Sequence, residues 1–278
     1  MGKCAMSEES GTNRLRLAVL LSGGGTNLQA LLDRQAAGQL AAEIVVVASD
    51  RADAYGLVRA ERAGIPTHVV DYKAHLQREI SNPLELELPV DLEELAHRQK
   101  ILKTADPDKL LQRLAKLVLA EAELLRILDC YQPDYVCLAG FMRLISPYFL
   151  GHYNREDQWR VVNIHPALLP AFPGGHGYED TFGYGCKWGG ITVHFADEGE
   201  DTGPIIAQAI YPIWPDDDLD KVRRRGLALE YELYAQCINW LATGHVKFHR
   251  GPDDKTLTRI TDPKYRKILK RWMEQAFS

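Results

Sequence analysis

An asparagine and a histidine stand two residues apart, at 163 and 165, in the stretch NIHPALLPAF. Side chains two apart in a strand point to the same face, so Asn163 and His165 would face one volume. Pro166 has no N–H to donate to a strand ladder, so the strand would end there. An amide donor beside an imidazole suits a reaction that develops an oxyanion and moves a proton. The alternative is a structural histidine that hydrogen-bonds the following loop.

A second candidate group is the acidic loop in VHFADEGEDTGP, residues 193–204, which carries Asp197, Glu198, Glu200 and Asp201. A carboxylate close to His165 would keep the imidazole protonated and hold it in one orientation. The alternative is a loop of solvated acids.

Other histidines and a cysteine raise two rival chemistries. A metal site could be built from His165, His176, Cys186 and His194 with a carboxylate. Their spacing matches no standard zinc pattern, so the sequence favours no metal. A nucleophilic triad is less favoured still, because the chain has no Gly-x-Ser-x-Gly elbow.

The glycine-rich turn SGGGTNL, residues 22–28, contains Gly25, Thr26 and Asn27. Glycine N–H groups and the N-terminus of a following helix would attract a phosphate. The turn lacks the Gly-Lys-Ser/Thr of a P-loop. It also lacks the third glycine of a dinucleotide fingerprint, although Asp50 stands at a suitable distance. A phosphate cradle and a tight turn that merely requires glycine both stay open.

These candidate groups all follow apolar runs that are typical of buried strands. Helical segments separate most of the runs, which predicts an α/β fold with a doubly wound, mostly parallel sheet. The last two runs have no helix between them, so the late strands are expected to be partly antiparallel. In open α/β sheets ligands bind outside the carboxyl ends of the strands, where the candidate groups would converge. The runs are RLRLAVLLS (14–22), EIVVVAS (43–49), PTHVV (66–70), DYVCLAGF (134–141), WRVVNIH (159–165), GITVHFAD (190–197) and IIAQAIYPI (205–213).

The composition excludes several classes of function. The 278 residues are 46% hydrophobic and carry a net charge of −5, which indicates one large globular domain without a basic field for nucleic acid or membrane. The N-terminus does not have the pattern of a signal peptide. Five scattered cysteines without a CxxC pair predict reduced thiols and a cytoplasmic setting.

Five motifs together resemble the glycinamide ribonucleotide formyltransferase family in their order and spacing. They are LLSGGGTNLQALL, SDRADAYGLVRAERAGI, PDYVCLAGFMRLISPYFL, VVNIHPALLPAFPG and GITVHFADEGEDTGPIIAQA. The resemblance implies a formyltransferase-like variant of the Rossmann fold. It also implies transfer of a formyl group from 10-formyltetrahydrofolate, a co-substrate, to the amine of 5-phosphoribosylglycinamide in purine biosynthesis, without a metal.

The resemblance also assigns roles to individual residues. The catalytic residues would be Asn163, His165 and Asp201, with Asp201 keeping His165 charged. The remaining implied site residues are Gly25, Thr26 and Asn27 for the substrate phosphate, Met142, Arg143, Leu144, Ile145 and Arg78 for the folate, and Glu230 for the substrate.

Related activities remain alternatives. Similar formyltransferases act on other amines, and formyltetrahydrofolate hydrolase uses water. A folate- or nucleotide-sensing protein is a non-enzymatic alternative, and an oxidoreductase would use the glycine turn with Asp50. The chain departs from the family pattern at Gly177-Tyr178, where the family usually has His-x-His.

The motifs divide the chain into a polar N-terminal extension (1–13), a formyltransferase domain (14–242) with a helical insertion at about 80–130, and a basic C-terminal extension (243–278). Within the insertion, Asp106 and Pro107 are expected to start an amphipathic helix. Segment 80–105 is expected to be peripheral to the chemistry. The basic extension predicts a docked surface helix, or else a partner-binding one. The expected partners are small-molecule substrates, with a homodimer possible.

Overall fold

The computed structural model describes residues 14–155 and 158–277, so the predicted N-terminal extension lies outside the described residues. The strands are β1 (Leu15–Leu21), β2 (Ala42–Ser49), β3 (Thr67–Val69), β4 (Tyr135–Leu138), β5 (Val161–His165), β6 (Trp188–Phe195), β7 (Ile205–Pro212), β8 (Val246–Arg250) and β9 (Thr256–Ile260). The helices are α1 (Thr26–Ala36), α2 (Tyr55–Arg62), α3 (Tyr72–Gln77), α4 (Leu92–Arg98), α5 (Pro107–Asp129), α6 (Pro147–Tyr153), α7 (Gly177–Gly183), α8 (Leu219–Ala242) and α9 (Tyr265–Ala276).

Seven strands form one sheet in the order β3-β2-β1-β4-β5-β6-β7. Strands β1 to β5 pair in parallel, and β6 and β7 are antiparallel to their neighbours. This topology confirms the predicted fold class, including the antiparallel late strands. The strand order reverses between β1 and β4, and a crevice opens at the carboxyl ends of strands on either side of such a point.

Helices cover both faces of the sheet, because the central strands are apolar on both sides. Helices α1, α2, α7, α8 and α9 bury their apolar residues on one face. Helices α3 to α6 cover the other face. The predicted start of α5 is confirmed, since Asp106 accepts a hydrogen bond from the backbone N–H of Lys109 and Pro107 occupies the first helical position. Helix α5 takes the chain from the edge strand β3 back to the central strand β4.

The basic C-terminal extension folds as a β8–β9 hairpin followed by α9. Trp272 of α9 is only 2% exposed and packs in the core, as the docked interpretation predicts. Trp240 of α8 donates from Nε1 to Asp262 Oδ2 at 2.7 Å and so ties the extension to the sheet domain. The division of the chain into extensions, domain and insertion stays a prediction. Among residues 14–155 and 158–277, no helix is long and apolar enough to cross a membrane.

Candidate active site

Strand β5 carries Asn163 and His165 at its carboxyl end, and both side chains line one cavity of about 290 Å³. The antiparallel pairing of β5 with β6 places His194 directly opposite Asn163. Asn163 Nδ2 lies 3.2 Å from His194 Nε2. The strand ends therefore bring an amide and two imidazoles into one small volume.

Asp201 lies at the centre of this group and contacts each of its members. Its Oδ1 is 3.2 Å from Asn163 Nδ2 and 3.4 Å from His194 Nε2. Its Oδ2 is 3.4 Å from His165 Nδ1 and accepts the backbone N–H of Gly174 at 2.8 Å. The structure thus brings the three predicted catalytic residues together, with Asp201 rather than another acid of the loop beside His165.

The contacts of the imidazoles indicate where their hydrogens lie. His165 Nε2 is 2.7 Å from the Phe172 carbonyl, which can only accept, so Nε2 carries a hydrogen. A hydrogen on Nδ1 as well, facing Asp201, would make His165 a cation held by a carboxylate. His194 Nδ1 faces the Phe195 carbonyl at 2.9 Å, so Nδ1 carries a hydrogen. His194 Nε2 faces both Asn163 and Asp201, and it accepts from Asn163 in the neutral ring and donates to Asp201 in the protonated ring.

The electrostatics of Asp201 favour its charged form. Burial alone would raise the pKa of this carboxyl. The hydrogen bond from His194, the charge of His165 and the Gly174 N–H outweigh burial and lower the pKa below its ordinary value. Asp201 itself has a left-handed backbone, with φ of 55°. This conformation is uncommon for a residue with a side chain, so the surrounding contacts must hold the loop in place.

The glycine turn forms the second part of the site, between β1 and α1. Gly25 has φ of 67°, and a Cβ there would lie 2.6 Å from the Gly56 Cα, so only glycine fits. No acidic side chain lies in the first turn of α1, whose N-terminus opens into a second cavity. Thr26 and Asn27 line this cavity with the turn, as a phosphate cradle requires.

Glu230 of α8 lies behind the glycine turn rather than in the wall of the cavity. Asn27 Nδ2 donates to Glu230 Oε2 at 2.6 Å, and the Tyr178 hydroxyl donates to the other carboxylate oxygen. Burial raises the pKa of Glu230, and these two hydrogen bonds offset part of the increase. The buried Oδ1 of Asn27 has no partner within the described residues. Asn27 therefore keeps one free acceptor in a fixed orientation.

The 142–145 stretch joins the two cavities. The Met142 N–H donates to Ser22 Oγ at 2.8 Å, which fixes the stretch against the end of β1. Arg143 pairs with the buried Asp50. Met142 is 66% exposed although it is apolar, and Leu144 is also exposed, while Ile145 is buried. An exposed apolar edge beside a cavity suits a flat apolar ligand.

The two cavities adjoin along Gly140, Met142 and Arg143, which line both of them. We call the cavity lined by Asn163, His165 and Asp201 the cluster cavity, and the other the glycine-turn cavity. Arg78 instead lines a third, separate pocket with residues of α3 and Glu123 of α5. Among the described residues, Arg78 is thus the one predicted folate residue that is not brought to the cluster cavity.

Comparisons with known proteins identify the family of this chain. The family described as "Formyl transferase" matches residues 15–238. The chain belongs to the formyl transferase family. It is 34% identical to phosphoribosylglycinamide formyltransferase of Escherichia coli over 237 residues, which are 85% of this chain and 92% of that protein.

Two further comparisons place this formyl transferase among larger and smaller relatives. It is 38% identical to the trifunctional purine biosynthetic protein adenosine-3 of Drosophila melanogaster, matching 83% of this chain but only 14% of that much longer protein. The crystal structure of glycinamide ribonucleotide transformylase 1 from Symbiobacterium toebii superposes with a TM-score of 0.69 at 35% identity. The match covers 92% of this chain and all of that one.

The structure bears on two of the interpretations drawn from sequence. Arg143 pairs with Oδ2 of Asp50, so the oxidoreductase alternative would have only Oδ1 of this carboxylate for a ribose. Segment 80–105 is predicted from sequence to be peripheral to the chemistry, and this stays a prediction, although Ile101 of the segment lines the cluster cavity. For the rival metal site, no group of three or more histidine, cysteine or acidic side chains within residues 14–155 and 158–277 is arranged to hold a metal ion.

Sequence reasoning also missed the contacts that two residues make with the predicted site residues. His194 was considered only as a metal ligand, yet it contacts both Asn163 and Asp201. The signal that could have revealed it is the antiparallel pairing of β5 with β6, which sets the register. Tyr178 was noted only as a departure from the family pattern, whereas its hydroxyl holds Glu230.

Proposed function

We propose that this formyl transferase moves the formyl group of 10-formyltetrahydrofolate to the amine of 5-phosphoribosylglycinamide, a step of purine biosynthesis. The observation that carries the proposal is the pair of adjoining cavities. One has a glycine turn at a helix N-terminus, and the other contains an Asn-His-Asp cluster. Two different substrates could meet where the cavities adjoin.

The ribonucleotide would occupy the glycine-turn cavity. Its phosphate would accept hydrogen bonds from the N–H groups of Gly25, Thr26 and Asn27 at the start of α1, where the helix dipole favours an anion. Substrate hydroxyl or amine groups could donate to Asn27 Oδ1 and Asp50 Oδ1, two oxygens that have no hydrogen-bond partner among residues 14–155 and 158–277. Those two oxygens would otherwise stay buried without a hydrogen bond.

The formylfolate would occupy the cluster cavity. Its flat ring system would cover Met142 and Leu144, whose apolar side chains are exposed. Burying this apolar area supplies affinity, and backbone groups of the 142–145 stretch supply direction. Arg143 stays engaged with Asp50 in this arrangement.

The transfer requires no covalent enzyme intermediate. The amine nitrogen forms a bond to the formyl carbon, and the carbonyl electron pair moves onto oxygen to give a tetrahedral oxyanion. Asn163 Nδ2 and the protonated His165 would donate to this oxygen, in place of contacts they now make within the cluster. One such donor is worth about 10²–10³ in kcat.

Collapse of the intermediate completes the reaction. The carbon–N10 bond breaks, N10 of the folate takes up a proton, and the attacking amine loses one. Asp201 keeps His165 charged and provides a carboxylate through which that proton can pass. The products are the formamide of the ribonucleotide and tetrahydrofolate.

A formylation assay tests the proposal. The protein is incubated with 10-formyltetrahydrofolate and 5-phosphoribosylglycinamide, and tetrahydrofolate release and product formation are followed together. The expected result is stoichiometric formation of both products, which is lost when the acceptor lacks its phosphate. Equal tetrahydrofolate release without any acceptor would instead establish the hydrolase, and no release in either case would overturn the proposal.

The proposed function also leads to expectations for the partners and the cellular location of the protein. The reaction needs small-molecule substrates only, and we place it in the cytoplasm, where buried thiols such as Cys137 and Cys237 stay reduced. A homodimer stays a prediction, which sedimentation velocity at several protein concentrations would test.

A further inference from the structure

Residues 91–104, comprising Asp91, helix α4 and the six residues after it, lie against the acidic loop at residues 196–203. Arg98 donates to Glu198 Oε1 from Nη2 at 2.8 Å and from Nε at 3.2 Å. Lys103 Nζ lies 3.5 Å from Glu200 Oε2. These two ion pairs connect positions about 100 residues apart and join the 91–104 segment to the loop that carries Asp201.

The 91–104 segment is anchored in the core and is not a mobile flap. Leu92, Leu95 and Leu102 are buried with the apolar side chains of α5. Asp91 caps α4 by accepting the N–H of Glu94 at 2.9 Å. This buried anchor fixes the backbone from which the exposed side chains of Arg98 and Lys103 extend.

Ile101 is the residue of this segment that reaches the site. It is 8% exposed, and it lines the cluster cavity with Leu138 and Ile145. Its neighbour Leu102 is almost equally buried, at 9% exposed, and belongs to the same core cluster, but it does not line the cavity. The two adjacent residues therefore differ in contact with the cavity and hardly at all in burial.

The acidic loop has contacts within itself and contacts with the 91–104 segment. Asp197 ties the loop to itself, since its Oδ1 accepts from Thr202 Oγ1 at 2.7 Å and from the Gly199 N–H at 3.1 Å. Glu198 and Glu200 pair instead with Arg98 and Lys103 of the 91–104 segment. Asp201, with its left-handed backbone, comes directly after Glu200 in the chain. The ion pairs of Glu198 and Glu200 therefore restrain the position of Asp201 beside Asn163 and His165.

Glu200 also lies next to a backbone group that contacts Asp201. A Cβ built on Gly174 would be 3.4 Å from Glu200 Oε1, so Glu200 packs over Gly174. The Gly174 N–H in turn donates to Asp201. The Lys103–Glu200 pair therefore holds the acidic loop against Gly174, whose N–H contacts Asp201.

We propose that the 91–104 segment is a fixed wall of the formylfolate site. Ile101 is a specificity-determining residue that packs against the apolar ring system of the formylfolate, and Arg98 is a positioning residue that holds the acidic loop and, through it, Asp201. This inference rests on the proposed function, because it names the wall against which the formylfolate binds.

The first test compares Ile101→Ala with Leu102→Ala in the full chain. Losing apolar contact with the ligand should raise the KM for 10-formyltetrahydrofolate about three- to tenfold in Ile101→Ala, with an unchanged KM for the ribonucleotide. Leu102→Ala should lower the Tm similarly but leave both KM values as in the wild type. If the two variants have the same KM for the formylfolate, Ile101 does not contact it and the proposal fails.

The second test reverses the charges of the Arg98–Glu198 pair. Both side chains are partly exposed, so each single variant, Arg98→Glu or Glu198→Arg, should lower kcat only about two- to fivefold. The double variant should recover most of kcat, as should the conservative Arg98→Lys. Lys270→Glu, which breaks another surface ion pair on α9, should leave kcat unchanged.

The outcomes separate the inference from the proposed function. A wild-type protein that does not formylate the ribonucleotide refutes the function. A wild-type protein that does so, with charge-reversed variants that are as active as Lys270→Glu, refutes the positioning role of Arg98. Failure of the double variant to recover activity refutes it as well.

Discussion

Asn27 Nδ2 donates to Glu230 Oε2 over 2.6 Å, although the two residues are 203 positions apart in the chain. The contact joins the first turn of α1 to the middle of α8. Tyr178 of α7 donates to the other carboxylate oxygen of Glu230, so three helices meet at one buried acid. This arrangement fixes the orientation of the Asn27 side chain, and Asn27 lines the glycine-turn cavity.

We expect Tyr178→Phe to weaken ribonucleotide binding selectively. The substitution leaves one oxygen of buried Glu230 without a partner, which costs about 1–3 kcal/mol and allows Asn27 to shift. The KM for the ribonucleotide should rise several-fold, while the KM for the formylfolate stays unchanged. Steady-state kinetics with each substrate varied in turn measures the two effects.

Tyr153→Phe is the matched control, because the buried Tyr153 hydroxyl on α6 has no partner among the described residues. Its removal should change neither KM. Should Tyr178→Phe raise both KM values equally, the Tyr178–Glu230 contact would support the whole fold and not the ribonucleotide site.

Gly25→Ala is expected to destabilise the protein more than Gly64→Ala. Both glycines have positive φ, at 67° and 72°, so alanine costs about 1–2 kcal/mol at either position. At Gly25 the new Cβ would also lie 2.6 Å from Gly56, whereas Gly64 faces open space. Urea unfolding should therefore show a larger loss for Gly25→Ala, and equal losses would contradict the close approach of α1 and α2.

The parts of the fold that were predictable are those set by neighbours in sequence. Buried parallel strands are continuous apolar runs, so β1 to β5 were located to within a few residues. The start of α5 at Asp106 and Pro107 followed from capping chemistry alone. The convergence of Asn163 and the glycine turn followed from their positions after strands of one sheet.

The parts that sequence did not predict depend on contacts between distant segments. Ile101 enters the site because α4 packs on α5, and nothing local distinguishes it from Leu102. His194 joins the cluster through the register between β5 and β6. Glu230 contacts Asn27 and does not line the glycine-turn cavity. This contact depends on the packing of α8 against α1.

Asp201→Asn should lower kcat by roughly 10²–10⁴, the range for general acid–base catalysis. The amide keeps the shape of the side chain and removes the charge that supports protonated His165. Because the pKa of Asp201 is lowered, the wild-type carboxylate stays charged down to mildly acidic pH, and the defect should persist throughout the neutral range. Single-turnover kinetics at saturating substrates measures this loss while equilibrium binding of both substrates is retained.

Asp197→Asn provides the control in the same loop. Its amide oxygen can still accept from Thr202 and Gly199, so kcat should stay within a few-fold of the wild type. If Asp197→Asn lost as much activity as Asp201→Asn, the charge of the whole loop would matter, and Asp201 would have no special role.

Glu121 should make the stability of the protein depend on pH. This acid of α5 is fully buried, and burial raises its pKa to about 8, although hydrogen bonds from Ser146 offset part of the effect. Between pH 4.5 and about 8 the folded state keeps a proton that the unfolded chain has released. The stabilisation from this group is thus fully present below pH 4.5 and is lost as the pH rises toward 8.

Glu121→Gln should remove this dependence. Its Oε1 can accept the Ser146 N–H and its Nε2 can donate to Ser146 Oγ, so the start of α6 next to the 142–145 stretch keeps its anchor. The free energy of unfolding, measured by urea titration from pH 5 to pH 8.5, should fall for the wild type relative to Glu121→Gln by a few kcal/mol and then level off. A difference between the two proteins that stays constant over this range would mean that Glu121 is already charged in the folded state, and that Ser146 binds a carboxylate at every pH tested.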